Sequence, residues 1–162
     1  MSDCCTPNEI TSSSSFFGVC PSCKSKGKKV GVITLKSLLK PSALETLNAD
    51  LNYFFCQTPD CDVVYFTNEK TYLMSDMKVR VYQKDQSLTV PACYCFDWTR
   101  EKIHEQLKNV HTLPTEHIRK NIKANRCGCE VNNPQGSCCL GNVTAYIREL
   151  NLVSINGTRF MN

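Results

Sequence analysis

Cys20-Pro-Ser-Cys23 is a C-x2-C pair, and Cys56-Gln-Thr-Pro-Asp-Cys61 is a C-x4-C pair. Two knuckles of that spacing, each beside an apolar run, supply four thiolates for a tetrahedral zinc with bonds of about 2.3 Å. Zinc suits such a set because it has no redox chemistry and imposes little geometry of its own. Neither a fifth ligand nor a water-activating carboxylate accompanies these cysteines, so the site reads as structural. Four thiolates on Zn²⁺ leave a net charge of −2. Lys24, Lys26, Lys28 and Lys29 lie close in the chain. They read either as an offset to that charge or as a solvated basic hairpin.

A second set has different spacing. Cys93-Tyr-Cys95 is followed by about thirty residues of helical pattern, then Cys127-Gly-Cys129 and Cys138-Cys139. C-x-C is tighter than the usual zinc knuckle. A 2Fe–2S cluster needs four thiolates, two on each iron. The C-x-C supplies two, and the late cysteines supply the rest. Cys95 and Cys138-Cys139 are expected just before helices, whose N-termini favour the negative charge of an all-cysteine cluster. Arg126 adds to this field. Tyr94, Phe96 and Trp98 flank the C-x-C as an aromatic core or a shield for its sulfurs. His104, His111 and His117 read as surface or core histidines rather than ligands.

The compartment decides between metals and disulfides for these twelve cysteines. Met1 to Ser15 is polar and lacks the apolar core of a signal peptide, and no apolar run is long enough to span a membrane. The expectation is a cytoplasmic protein, where thiols stay reduced. The sequons at Asn142 and Asn156 are then chance occurrences. Adjacent residues hold their Cα atoms about 3.8 Å apart. That is shorter than the roughly 4.4–6.8 Å disulfides use, so 4/5 and 138/139 are poor internal pairs.

Composition narrows the class further. Hydrophobic residues make up 41% and charged residues 21%, as in a soluble globular chain. A net charge of +4 is mild and names no nucleic-acid partner. No Ser/His/Asp set, carboxylate pair or phosphate-binding loop supports hydrolytic or transferase chemistry.

The elements expected to position these cysteines form an α+β chain: a small β-rich zinc-binding unit, then a small helical 2Fe–2S unit. Residues 1–15 read as a polar leader with Ser12 to Ser15 as low-complexity sequence and Cys4-Cys5 as its chemical feature. Two thiols there suit a soft ion such as Cu(I). Residues 16–90 read as the zinc domain. Val30 to Leu35 is a strand candidate, and Pro41 to Leu47 a short helix opened by its proline. Leu51–Cys56 and Cys61–Phe66 make a hairpin around Pro59-Asp60. Val79 to Tyr82 is expected as a last strand, and Gln83 to Pro91 as a linker. Residues 91–150 read as the helical cluster domain. Thr99 caps a helix lined by Ile103, Leu107 and Val110, and Pro114 opens one carrying Ile118 and Ile122. A third helix after Cys139 carries Val143, Tyr146, Ile147 and Leu150 on one stripe. Residues 151–162 remain an unassigned tail.

The ordered motifs also carry a family resemblance. Cys20-Pro-Ser-Cys23, Phe55-Cys56-Gln-Thr-Pro-Asp-Cys61-Asp-Val-Val-Tyr-Phe66, Cys93-Tyr-Cys95 and Asn133-Pro-Gln-Gly-Ser-Cys-Cys139 occur in that order. Over residues 18–148 this resembles the N-terminal zinc and iron–sulfur region of the CopZ-type copper chaperones. The second half is also similar to bacterioferritin-associated ferredoxin, a small helical 2Fe–2S fold. The resemblance implies zinc on Cys20, Cys23, Cys56 and Cys61. It implies the cluster on Cys93, Cys95, Cys129 and Cys139, with Cys129 selected by its place four residues before Asn133-Pro134. Cys127 and Cys138 are then extra. Long family members continue into a heavy-metal-associated domain with another C-x-x-C, which residues 1–162 do not include. The implied role is soft-metal handling with reduction of Cu(II) to Cu(I), copper(I) as cargo, and a copper-transporting ATPase or redox protein as partner. A ferredoxin-like one-electron carrier without copper, or an adaptor held together by its cluster, are the alternatives.

Overall fold

The computed structural model describes residues 18–109 and 112–157; Cys4-Cys5, Val110 and His111 lie outside them. A four-stranded antiparallel sheet forms the first region, in the order β1 (Lys28–Val30), β2 (Tyr53–Phe55), β3 (Val63–Phe66) and β4 (Thr71–Leu73). Lys28 pairs with Phe55 and Phe55 with Tyr65, so the expected hairpin around residues 57–60 is present. β2, β3 and β4 each carry aromatic residues, and their rings pack across the sheet. Phe55 and Tyr65, for example, lie 6.0 Å apart. Val30, Leu35, Leu39, Phe55, Val64 and Val81 are among the residues that close this core. Burying each large apolar side chain stabilises the fold by about 1.5–3 kcal/mol.

Two local expectations fail here. Val30 to Leu35 is not one strand: β1 ends at Val30, and α1 runs over Val32–Leu38. The β-branched Val32-Ile-Thr34 run suggests a strand, but Thr34, Leu35 and Leu38 face the core at helical spacing. Tertiary burial outweighs the weak local propensity. Val79 to Tyr82 forms no strand either. Lys84 N and Asp85 N both donate to Val81 O, which closes a turn with Val81 buried. The fourth strand is instead Thr71–Leu73, a three-residue segment too short to read from its pattern. The expected short helix at Pro41 is present as α2 (Pro41–Leu44), with proline in its first turn.

The second region opens on a two-stranded ribbon, β5 (Pro91–Cys93) and β6 (Trp98–Thr99), rather than on a helix. Thr99 then caps α3 (Arg100–Asn109), its hydroxyl accepting from Lys102 N at 3.2 Å. Pro114 opens α4 (Pro114–Lys123). A short α5 (Cys129–Asn132) and a long α6 (Leu140–Gly157) follow, so α6 takes in part of the expected tail. Ala92, Cys93, Ile103, Ile118, Cys139 and Val143 form its buried core. No described helix is long and apolar enough to cross a membrane.

The stretch expected as a linker is pinned. Arg100 is 4% exposed, and its guanidinium donates to the carbonyls of Tyr82, Asp85 and Ser87 at 2.9, 2.8 and 3.3 Å. It also stacks over the Tyr82 ring at 4.0 Å. Residues 82–87 are therefore held to the start of α3.

Candidate metal centres

The first knuckle is a tight turn. Cys20 N donates to Ser25 O at 2.9 Å and Lys24 N to Cys20 O at 3.0 Å, with Lys24 in the left-handed region at φ 61°. The second knuckle leaves β2: Cys56 N donates to Val64 O at 2.9 Å, and Cys61 N to Thr58 O at 3.3 Å. The sheet pairing brings the two turns together. Cys20 and Cys61 sulfurs lie 3.9 Å apart, and those of Cys23 and Cys56 3.6 Å apart. All four sulfurs lie within 4.8 Å of one another, and three of the four cysteines are buried. Tetrahedral zinc with bonds of about 2.3 Å requires sulfurs about 3.8 Å apart, so the donor set fits one such ion.

Electrostatics divide the four thiols. The Thr58 hydroxyl, 3.2 Å away, draws the Cys23 thiol down to about 5. Burial pushes Cys20 up to about 12 and raises Cys56 as well. A dication must displace the protons that burial holds on Cys20 and Cys56, so metal binding is coupled to proton release.

The second set is arranged differently. Cys93 ends β5 and is buried, and Cys95 sits in the turn between β5 and β6. Cys129 opens α5, and Cys139 immediately precedes α6 at 1% exposure. The Cys95 and Cys129 sulfurs lie 3.6 Å apart. Cys139 bonds to both Cys93 and Cys129, holding its own proton and lowering theirs, with Cys129 at about 6. Burial raises Cys95, although Gly128 N donates to its sulfur at 3.3 Å. Contacts thus run Cys93, Cys139, Cys129, Cys95. Among the described residues, only the first set is compact enough for all its donor atoms to lie within 4.8 Å of each other. Cys127 and Cys138 are exposed.

The loop carrying Cys139 is built by residues that spacing alone did not single out. Asn133 is 1% exposed; its side chain donates to Ser137 O at 2.8 Å and accepts from Gln135 N at 3.2 Å. The Gln135 amide donates to Cys138 O at 2.9 Å. Gly136, at φ +67°, packs on the sheet region, where a Cβ would meet Val30 Cγ2 at 2.6 Å. Three further bonds cross to that region: Tyr65 Oη to Pro134 O at 2.6 Å, Gln83 to Gln135 at 2.7 Å, and Lys28 to Ser137 at 2.6 Å. Their only signal in the sequence is the Asn133-Pro-Gln-Gly motif.

The expected helix N-terminus at Cys95 is absent, because β6 intervenes before α3. Trp98 Nε1 donates to His117 Nδ1 at 3.1 Å, and His104 bonds Tyr146 Oη at 2.6 Å, so both histidines are engaged away from the sulfurs. Tyr94 reaches back to the sheet region: its hydroxyl donates to Arg80 O at 2.5 Å and accepts from Tyr82 N at 2.9 Å.

Residues 18–78 match a CopZ-type family described as a zinc binding domain. The chain is similar to the copper chaperone CopZ of Archaeoglobus fulgidus, 28% identical over 120 residues. That alignment takes in 74% of this chain and 57% of the relative, so this chain spans little more than half of the relative's length. Its fold is similar to the X-ray structure of the Archaeoglobus fulgidus CopZ N-terminal domain. The TM-score is 0.65 at 24% identity, over 82% of this chain and 97% of that one. The resemblance to CopZ-type copper chaperones read from the motifs therefore stands.

Proposed function

We propose that this chain is a metallochaperone-like protein of copper or related soft-metal handling. It holds a structural zinc on Cys20, Cys23, Cys56 and Cys61, and a 2Fe–2S cluster on Cys93, Cys95, Cys129 and Cys139. The observation that carries this reading is the contrast in shape between the two thiol sets. The first is compact, all within 4.8 Å, as one tetrahedral ion needs. The second is an extended run of sulfurs, which suits two irons sharing four thiolates in pairs better than one ion. The fit to the zinc domain over residues 18–78 supports the first assignment.

When bound, a 2Fe–2S cluster supplies one electron at low potential, the requirement for turning Cu(II) into Cu(I). The protein's part is to hold and tune the sulfurs. Gly128 N and the Asn132 amide, 3.3 and 3.7 Å from Cys95 Sγ, place donors against a sulfur that carries negative charge. Such donors favour the reduced, more negative state. The Asn133 and Gln135 bonds hold Cys139 in register with Cys93. Copper is the cargo, and exposed Cys127 and Cys138 are soft ligands of the kind Cu(I) prefers. A copper-transporting ATPase or a redox partner protein would then receive the ion or supply the electron. The cytoplasm is the compartment in which this chemistry keeps its thiols reduced.

A second reading, a ferredoxin-like one-electron carrier without copper, is favoured by half-buried Cys95 and Cys129, which bring one side of the set toward the surface. Copper titration of anaerobically loaded protein separates the two. The chaperone reading predicts that Cu(II) oxidises the dithionite-reduced protein one for one, and that the resulting Cu(I) stays with the chain. Cu(I) released at once to a weak chelator would support the carrier.

A further inference from the structure

We infer that Lys84 is a built-in cation of the four-cysteine site, where it fixes the Cys56–Cys61 loop and offsets the charge of the metal-bound thiolates. The inference rests on zinc binding by Cys20, Cys23, Cys56 and Cys61. Four thiolates on Zn²⁺ carry −2, and three of these cysteines are buried. Charge in such a place needs a fixed partner, because water is not there to solvate it. Two of the four neighbouring lysines are engaged elsewhere. Lys24 Nζ donates to Pro21 O at 2.7 Å on the exposed side of its turn, and Lys28 Nζ reaches away to Ser137 at 2.6 Å.

Lys84 comes from outside both knuckles. It is half-buried, and its ammonium donates to Thr58 O and to Cys61 O, each at 2.8 Å. Those carbonyls belong to the two residues that close the second knuckle through the Cys61 N to Thr58 O bond. Thr58 also carries the hydroxyl that bonds Cys23 Sγ at 3.2 Å, so Lys84 braces a residue touching the opposite knuckle. The segment presenting Lys84 is itself fixed: Lys84 N donates to Val81 O at 3.0 Å, and Arg100 holds Asp85 O at 2.8 Å. An exposed lysine held by nothing contributes little, because solvent screens it and its side chain must be ordered. Lys84 is ordered by two carbonyls on a braced turn. Groups beyond the ligand shell commonly change metal affinity by about 10–100-fold when removed.

The test compares Lys84→Met, Lys84→Gln and Lys84→Arg in the full chain. The readouts are zinc competition against a chromophoric chelator and the thiolate-to-metal bands of the Co(II)-substituted site. Lys84→Met is expected to bind zinc about 10–100-fold more weakly, with shifted Co(II) bands. Lys84→Arg should restore most of the affinity and the spectrum, because it keeps charge and donors. Lys84→Gln, which keeps a donor without charge, should resemble Lys84→Met. Wild-type affinity and spectrum in Lys84→Met would overturn the inference. Restoration by Lys84→Gln equal to that by Lys84→Arg would overturn its electrostatic part. Wild-type protein that takes up no zinc, or whose zinc survives Cys56→Ser, would instead overturn the underlying zinc assignment.

Discussion

Tyr65→Phe is a one-atom test of how the sheet region holds the second thiol set. Tyr65 is fully buried, and its hydroxyl donates to Pro134 O at 2.6 Å, five residues before Cys139. Phenylalanine keeps the ring and its packing on Phe55, 6.0 Å away. What disappears is one donor, leaving the Pro134 carbonyl without it in a dry place. The cost of such an unsatisfied group is about 1–3 kcal/mol. For a chain of this size each kcal/mol lowers Tm by roughly 2–4 °C. The same energy raises the open population of the Asn133–Cys139 loop. A change of 1–2 kcal/mol corresponds to a factor of about 5–30. Cluster loss to an iron chelator, followed by visible absorbance, should therefore accelerate by about that factor. Zinc content should not change, because Tyr65 is not among the groups that close the knuckles. A lowered Tm with an unchanged rate of cluster loss would refute the claim that this loop is held by the sheet region. Unchanged values of both would refute the strength assigned to the bond.

Three further outcomes follow from the same geometry. Cys56→Ser removes a buried ligand whose site contributes folding energy, so zinc should be lost and the melting transition of the sheet region weakened in circular dichroism; retention of both would remove Cys56 from the ligand set. Cys93→Ser, Cys95→Ser, Cys129→Ser and Cys139→Ser should each abolish or distort the visible spectrum, while Cys127→Ser and Cys138→Ser, at exposed positions, should alter it weakly; the opposite pattern at 127 and 129 would exchange their roles. Gly136→Ala puts a Cβ 2.6 Å from Val30 Cγ2 at a positive φ, so thermal denaturation should show a loss of at least about 1–3 kcal/mol; an unchanged curve would mean that the loop does not dock there.

The clustering of Cys20, Cys23, Cys56 and Cys61 was legible because two short-spaced cysteine pairs are a metal-ligand signature, and the order of the motifs pointed to the zinc-binding family that residues 18–78 match. The β2–β3 hairpin, the Thr99 cap and the Pro114 helix start were equally readable, since turn and cap chemistry is local. Val32-Ile-Thr34 was misread because its helical state depends on burying Leu35 and Leu38 against a distant surface. Residues 83–91 read as a linker because they are polar, yet Arg100 and Lys84 hold them through backbone carbonyls that carry no sequence pattern. Lys84 itself was invisible for the same reason. It reaches the knuckle from 23 residues beyond Cys61, while four nearer lysines drew attention.

Anaerobic purification with metal analysis and EPR tests the central claim most directly. The two thiol sets predict about one zinc and two irons per chain, with a rhombic S = 1/2 signal after one-electron reduction. Zinc in both sets, in a protein that stays colourless after anaerobic iron–sulfur loading, would contradict the account.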